Sequence, residues 1–112
     1  MAILKKPKRG ECWWVALDPT KGSEIQKTRP CVVVSVDYAN ETLDRVTVVP
    51  LTSTTAGVFI SDVVVTIGNR KSKAVASQIR TASLARCLTR IDALSVPDMR
   101  AVEKVVRIHL GL

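Results

Sequence analysis

The feature that most constrains the fold is a long polar connection, residues 18–30, between two apolar runs of strand length. These runs cover residues 12–17 and 31–36, and each is predicted to form a β-strand. Apolar residues occupy both faces of the first run, including Trp13 and Trp14, so we expect that strand to be buried on both sides. The connection contains two prolines, a glycine and mostly small polar or charged residues, which is the composition of a loop. Hairpin loops usually have about two to five residues. The greater length of this connection therefore indicates either a functional arm or a disordered segment.

Two charged residues of this loop suggest a site that cleaves phosphodiesters. Arg29 directly precedes Pro30, which favours an extended backbone at the start of the next strand. A guanidinium held there can clamp a phosphate, and Glu24 on the loop can act as a base. A solvated surface loop with a loose ion pair is the alternative interpretation, because most loop charges face solvent.

The remainder of the chain is predicted to consist of short strands and one terminal helix. A polar connection covers residues 37–44 and a hydroxyl-rich loop covers residues 52–57. The turn signal Gly68-Asn69 follows the second of four further strand-like segments, which cover residues 45–51, 58–67, 74–80 and 86–91.

The last segment changes to helical periodicity. Ser95 can cap a helix that has Pro97 and Asp98 in its first turn. Its predicted apolar positions are Met99, Val102, Val106 and Leu110. We therefore predict one domain over residues 1–112, mainly β with a C-terminal α-helix, folded as a strongly bent sheet or a partly open barrel. So few strands leave exposed edges, which dimerisation commonly covers.

Charge is distributed along the chain in blocks. The net charge is +7, with +4 over residues 1–30, −3 over residues 31–67, +6 over residues 68–90 and zero over the remainder. Two basic blocks separated by an acidic one favour nucleic acid or an acidic protein as the partner. A merely solvated basic face is the alternative.

Composition also restricts the compartment and the cofactors. The three cysteines are an odd number without a CxxC pair, and Cys12, Cys31 and Cys87 all lie in apolar segments. This predicts buried thiols in a reducing cytoplasm. The single histidine argues against a Cys/His metal site. No run approaches the ~20 apolar residues of a membrane span, and no signal peptide is evident. We therefore expect a cytoplasmic protein with no membrane, metal or cofactor.

RNA cleavage without a metal needs a base, a cation and an acid. His109, the one histidine, is far along the chain from the loop, so a mechanism with paired histidines is excluded. Glu24 remains as the base and Arg29 as the phosphate clamp. The hydroxyls of Thr52 or Ser53 can donate hydrogen bonds to phosphate oxygens from the next strand end. The alternative for both hydroxyls is a bond to their own turn.

Four segments in register resemble the MazF/PemK family of toxin endoribonucleases. They are GECWWV from Gly10, DPTKGSE from Asp18, TRPCVVVS from Thr28 and VPLTS from Val49. The later QIRT, from Gln78, is similar to the family's glutamine-centred motif. The resemblance implies a small SH3-like barrel with a terminal helix, as in MazF, PemK and CcdB toxins, working as a homodimer. It implies ribosome-independent, metal-free cutting of single-stranded RNA to a 2′,3′-cyclic phosphate and a 5′-hydroxyl. It also implies an acidic antitoxin that occupies the RNA groove.

Site residues are carried over from the family position by position. Arg29 and Thr52 match its catalytic arginine and threonine, and Glu24 matches a loop acid. Ser53 and Gln78 match positions that line the RNA site, and we also predict that Lys27 and Arg80 bind RNA.

Two positions depart from the family pattern. Many members have an acid immediately before the glutamine, where this chain has Ser77, and the PemK branch has an arginine two residues earlier, where this chain has Val75. We therefore expect Glu24 and Arg29 to do the acid–base and charge work. A non-enzymatic toxin of the CcdB type, which grips a protein such as gyrase, is the alternative function. A catalytically decayed RNA-binding module is a third.

Overall fold

The computed structural model describes residues 6–17 and 21–112. Within these residues the chain forms seven strands, two α-helices and two single 3-10 turns. They are β1 (Glu11–Ala16), β2 (Thr28–Val33), α1 (Asp37–Thr42), β3 (Arg45–Thr52), β4 (Asp62–Ile67), β5 (Arg70–Val75), a 3-10 turn (Ala76–Gln78), β6 (Arg80–Ser83), a 3-10 turn (Leu84–Arg86), β7 (Cys87–Ala93) and α2 (Val96–Leu110). The expected mainly β chain with a C-terminal α-helix is confirmed. Neither α-helix among these residues is long and apolar enough to cross a membrane.

All the strand pairings are antiparallel, in the order β4-β5-β3-β2-β1-β7. The central strand β3 changes partner along its length, because residues 45–48 pair with β6 whereas Leu51 and Thr52 pair with β5. Pro50 lies at this change of partner, where a residue without a backbone N–H is well tolerated. The change bends the sheet into a half-barrel and directs the end of β3 towards the β4–β5 hairpin.

Two apolar clusters fill the sheet, because β1, β2 and β3 are apolar on both faces. The first cluster comprises Trp13, Val15, Leu17, Cys31, Val33, Val46, Val48, Ala82 and Cys87. The second comprises Cys12, Val32, Val49, Leu51, Val65, Ala74, Leu94 and Val102. A fully buried valine or leucine contributes about 1.5–3 kcal/mol, so these clusters are the main source of stability. The expectation that β1 is buried on both faces is wrong at Trp14, which is 41% exposed.

Helix α2 closes the second cluster. Ser95 Oγ accepts a hydrogen bond of 3.2 Å from the backbone N–H of Asp98, which confirms the expected cap. Asp98 Oδ2 in turn accepts a bond of 2.9 Å from the N–H of Thr66 in β4, so the start of the helix is fixed to the sheet. Val102 is fully buried, and Met99 and Val106 pack on the same cluster. The apolar stripe ends there, because Leu110 is half exposed.

Three expectations about the elements are wrong. Residues 37–44 contain helix α1, whose Asn40 is buried and bonds Ser35. The strand expected over residues 58–67 begins only at Asp62. The strand expected over residues 74–80 is interrupted by a 3-10 turn, and the polar residues before it form β5. The turn at Gly68-Asn69, which was predicted correctly, brings β5 against β4, so pairing rather than an apolar pattern makes β5 a strand.

Candidate active site

The start of β2 and the end of β3 lie at the same end of two neighbouring strands. Cys31 is the register partner of Pro50, and the two strands are antiparallel. The pairing ends at Cys31 and Pro50, so Arg29 lies two residues before it on β2 and Thr52 two residues after it on β3. Because β2 begins at Thr28, Arg29 lies within the strand rather than at the end of the loop.

Arg29 is half-buried and keeps most of its donors free. Its Nε donates a hydrogen bond of 3.2 Å to the backbone oxygen of Gln26, which orients the guanidinium. Within the part of the chain that the structure describes, Nη1 and Nη2 have no hydrogen-bond partner. Both terminal nitrogens can therefore bind an oxyanion.

Thr52 and Ser53 supply hydroxyl groups at the end of β3. Thr52 is half-buried, and its Oγ1 accepts a bond of 3.3 Å from the N–H of Thr54, so the turn-forming alternative applies to its acceptor. The hydrogen of the same hydroxyl can still be donated. Ser53 is exposed at the next position.

A groove of about 310 Å³ opens beside Arg29. Ser53 and the half-exposed Trp14 line it, together with the basic side chains of Arg70 and Lys71. The other lining residues are Thr28, Pro30, Leu51, Ile67, Ser72 and Ile91. None of these lining residues is acidic. We call this surface the Arg29 groove.

A second groove, of about 390 Å³, brings together three other predicted site residues. Glu24, Gln78 and Arg80 line it with Ser77 and, at its floor, Pro50. Thr52 is not among the residues that line either groove. The structure therefore divides the predicted residues between two neighbouring surfaces, with Arg29 and Ser53 on one and Glu24 on the other.

The loop that carries Glu24 is fixed by side chains from the second groove. The Oε1 atom of Gln78 accepts a bond of 3.0 Å from the N–H of Ile25, and its Nε2 donates a bond of 3.3 Å to the oxygen of Ser23. Glu24 Oε1 accepts a bond of 2.8 Å from the N–H of Lys21, within the loop itself. Glu24 is thus exposed, but the backbone of its two neighbours, Ser23 and Ile25, is bonded to Gln78.

The base of the same loop is fixed at Leu17. Its N–H donates a bond of 3.0 Å to the oxygen of Lys27, which has a left-handed backbone with φ of 68°. The oxygen of Leu17 accepts a bond of 3.2 Å from Arg80 Nη1, and Arg86 Nη1 bonds the oxygen of Ala16 at 2.9 Å. Two arginines from β6 and the following 3-10 turn thus fix the end of β1, where the arm begins.

The cysteines and the histidine lie apart from both grooves. Cys12, Cys31 and Cys87 are buried, as expected, and form no disulfide among the residues that the structure describes. Burial raises the pKa of Cys12 and of Cys31 to about 12, so these thiols are poor nucleophiles. His109, near the end of α2, lies 3.2 Å from Ser61 Oγ through its Nδ1. Among the described residues, no three His, Cys, Asp or Glu side chains cluster as a metal site would require.

Three residues of the Arg29 groove were missed by the reasoning from sequence. Arg70 and Lys71 belong to the basic block over residues 68–90, so their charge was noticed but their position was not. Trp14 was assigned to a strand buried on both faces. The signal available was the Trp13-Trp14 pair, since adjacent strand residues face opposite ways and one of the two must lie on the less buried side.

The fold defines a structural class, that of the solved MazF structures. Over 96% of its length the chain superposes on 99% of MazF (Form-I) from Deinococcus radiodurans, with a TM-score of 0.86 and 21% identity. It also superposes on an endoribonuclease from Mycobacterial species solved in complex with its cognate antitoxin, with a TM-score of 0.80 and 20% identity. That match covers 95% of this chain and 96% of the other. The expected small barrel of the MazF type is confirmed.

The sequence identifies the family. The model of the PemK-like, MazF-like toxins of type II toxin–antitoxin systems matches residues 8–110. Endoribonuclease MazF9 of Mycobacterium tuberculosis is 40% identical over 114 residues, which cover 94% of this chain and 97% of that relative. The chain belongs to the PemK-like, MazF-like toxin family.

Proposed function

We propose that this MazF-type endoribonuclease toxin binds single-stranded RNA in the Arg29 groove and cleaves it there without a metal or cofactor. One observation carries the proposal. Arg29, whose Nη1 and Nη2 bond no other described residue, shares a groove with Arg70, Lys71 and an exposed tryptophan, and none of the described residues that line this groove is acidic. Cations that follow a phosphate backbone, together with an aromatic ring on which a base can stack, are what single-stranded nucleic acid requires.

The reaction that fits these residues is transfer of the phosphodiester to the adjacent 2′-hydroxyl. The 2′-oxygen attacks phosphorus, and its proton passes to the Glu24 carboxylate. The bond from phosphorus to the 5′-oxygen breaks, and that oxygen takes a proton from water. The hydroxide that remains takes up the proton held by Glu24, which restores the carboxylate. Arg29 donates to the non-bridging oxygens, where negative charge grows, and Thr52 donates its hydroxyl hydrogen to them. The products are a 2′,3′-cyclic phosphate and a 5′-hydroxyl.

Glu24 must move to act on this phosphate. Its side chain lines the second groove together with Pro50 of β3, whereas Arg29 lines the Arg29 groove. Residues 21–27 form the segment that would carry the carboxylate across. This movement is part of the proposal, because a base must come within about 3 Å of the proton it removes.

RNA binding is proposed for Ser53, Lys27, Gln78 and Arg80, together with Trp14. Ser53 and Trp14 line the Arg29 groove directly. Gln78 and Arg80 line the second groove, where each already bonds loop backbone, so their contact with RNA requires the loop to move. Lys27, at the exposed end of the arm, would follow a phosphate.

Two protein partners are proposed. The first is an acidic antitoxin segment that lies on the basic grooves, supported by the relative solved with its cognate antitoxin and by the net charge of +6 over residues 68–90. The second is another copy of this chain in a homodimer, supported by the open sheet edges at β4 and β7. We propose the cytoplasm as the location, since reduced, buried cysteines suit a reducing compartment.

Cleavage of a single-stranded RNA by the purified protein in EDTA tests this function. Arg29→Ala should lose at least ~100-fold in rate, the scale of one lost charge-stabilising group. Arg45→Ala is the matched control, because Arg45 is exposed at the other end of β3 and, within residues 6–17 and 21–112, its side chain pairs only with the exposed Asp44. Undiminished cutting by Arg29→Ala would remove Arg29 from the mechanism. A wild type that cuts no RNA would favour the alternative of a toxin that grips a protein.

A further inference from the structure

Strand β5 carries a buried lysine that the proposed reaction does not use. Lys73 is 9% exposed and Asp62 is 8% exposed, and Lys73 Nζ lies 3.8 Å from Asp62 Oδ2. Removing two charges from water is costly, and a hydrophobic pair of similar volume is often at least as stable. We therefore expect this pair to have a role that two apolar side chains could not have.

The side chains of Lys73 and Asp62 also form hydrogen bonds with the backbone of one loop. Lys73 Nζ donates to the oxygens of Ala56 and Gly57, at 3.1 and 3.3 Å. Asp62 Oδ2 accepts a bond of 3.0 Å from the N–H of Phe59. These three bonds hold residues 53–61, which we call the β3–β4 loop.

The end of this loop is also held by Ser61, which is buried: its backbone oxygen accepts a bond of 3.0 Å from the N–H of Ala76, and its Oγ lies 3.2 Å from His109 Nδ1. The tip of the loop, residues 56–60, has no buried side chain. Phe59 and Ile60 are 75% and 79% exposed, and Val58 is also exposed, so apolar burial does not fix its tip. A loop without buried apolar side chains is easily opened. The ammonium of Lys73 replaces that missing apolar contact with bonds to two backbone carbonyls.

The same loop begins at the proposed active site. Thr52 is the last residue of β3 and the register partner of Lys73, and Ser53 is the first residue of the loop. The direction in which the loop leaves β3 therefore sets where the hydroxyl of Ser53 lies. It also sets the position of Thr54, whose N–H bonds Thr52 Oγ1.

We propose that Lys73, with Asp62, is a positioning residue of the RNA site. The buried pair fixes the β3–β4 loop so that Thr52 and Ser53 present their hydroxyls beside Arg29. This inference rests on the proposed function, because it assigns the two hydroxyls to the phosphate.

The test uses the double variant Lys73→Met/Asp62→Asn. Methionine keeps the length and volume of the lysine stem, and asparagine keeps an acceptor for Phe59 without leaving a buried unpaired charge. We expect native thermal unfolding, together with new chymotrypsin cleavage after Phe59, the only phenylalanine in the chain. We expect kcat on RNA to fall ~10- to 100-fold with KM little changed, because displaced groups lose rate rather than binding.

Two further variants complete the design. Lys73→Arg keeps the charge and the donors, so it should retain both resistance to chymotrypsin and most of kcat. Lys104→Met removes one exposed lysine from α2 and should match the wild type in all three measurements.

The outcomes separate the two proposals. Resistance of the double variant to chymotrypsin would show that Lys73 and Asp62 do not fix the β3–β4 loop. Cleavage of the loop with an unchanged kcat would show that fixing the loop does not position the RNA site. Either result overturns the inference while leaving the function intact. A wild type that cuts no RNA would overturn the function and the assigned role in catalysis. The proteolysis would still decide whether Lys73 and Asp62 hold the loop.

Discussion

The side-chain amide of Gln78 is bonded to the backbone next to Glu24, although the two residues are far apart in sequence. Its Oε1 lies 3.0 Å from the nitrogen of Ile25, and its Nε2 lies 3.3 Å from the oxygen of Ser23. Gln78 itself ends the 3-10 turn that joins β5 to β6. The amide therefore holds the arm of Glu24 from both sides and keeps its carboxylate in the second groove.

Gln78→Met should release this arm without disturbing the fold. Methionine keeps the length of the side chain but removes both hydrogen bonds, each of which contributes about 0.5–1.5 kcal/mol. We expect faster trypsin cleavage after Lys21, identified by mass, with thermal unfolding close to that of the wild type.

The control for Gln78→Met is Ser83→Ala, an exposed position in β6 outside both grooves. Combining Gln78→Met with Glu24→Gln adds a measurement of activity. If Gln78 acts only by holding Glu24, Gln78→Met should leave kcat unchanged once Glu24 has already been replaced by Gln. A loss of kcat in that background would instead indicate that Gln78 contacts RNA by itself.

Trp14→Ala should weaken RNA binding far more than it weakens the protein. Stacking of one base on an aromatic ring contributes about 1–3 kcal/mol, so KM should rise by about 5- to 150-fold. Leu88→Ala provides the comparison, because Leu88 is an apolar strand residue of similar exposure that lines neither groove. Trp13→Ala should behave oppositely, since Trp13 is buried and its loss costs about 3–5 kcal/mol of folding stability. An unchanged KM for Trp14→Ala would exclude stacking on this ring.

Arg70 and Lys71 should contribute to the salt dependence of RNA binding. Each phosphate contact on a single strand changes the slope of log K against log salt by about 0.7, so Arg70→Gln/Lys71→Gln should reduce the slope by about 1.4. Binding can be measured with RNA that carries 2′-deoxy sugars and cannot be cleaved. Arg100→Gln/Lys104→Gln, with the same loss of charge on exposed positions of α2, should keep the wild-type slope. Equal slopes in all three proteins would mean that the RNA does not contact Arg70 and Lys71.

Much of the site was predictable because its residues follow local rules. The long connection, the extended backbone before Pro30 and the cap at Ser95 are properties of neighbouring residues in the sequence. The position of Arg29 at the start of β2 follows from the same local reasoning, apart from a shift of the strand boundary.

What was missed depends on pairing between distant segments. The residues of β5 have the polar composition of a loop, and only their register with β4 makes them a strand. Lys73 lies among charged neighbours, yet it is buried, because its partners are backbone oxygens that no side-chain pattern reveals. The division of the predicted site into two grooves has the same cause. Glu24 is placed by Gln78, and the sequence does not show that contact.

The ion pair between Glu11 and Arg90 predicts how stability responds to acid. Glu11 Oε2 lies 2.7 Å from Arg90 Nε, and Oε1 accepts bonds from the N–H of Lys8 at 2.8 Å and from Trp13 Nε1 at 3.1 Å. Partial burial alone would raise the pKa of Glu11, but these hydrogen bonds outweigh it and lower the pKa below the ordinary value of 4.5. A carboxylate with a lowered pKa stabilises the fold above that ordinary value, and its contribution is lost as the pH falls through the lowered pKa.

Urea unfolding at about pH 6 and about pH 3 measures this contribution. Wild type should lose more unfolding free energy between the two than Glu11→Gln, which has no carboxylate to protonate at this position. Asp44→Asn removes an exposed carboxylate instead, so it should lose as much as the wild type. The comparison between variants isolates Glu11, because every carboxylate other than those of Glu11 and Asp44 is present in all three proteins. An equal loss in wild type and Glu11→Gln would mean that the link between β1 and β7 does not depend on the charge of Glu11.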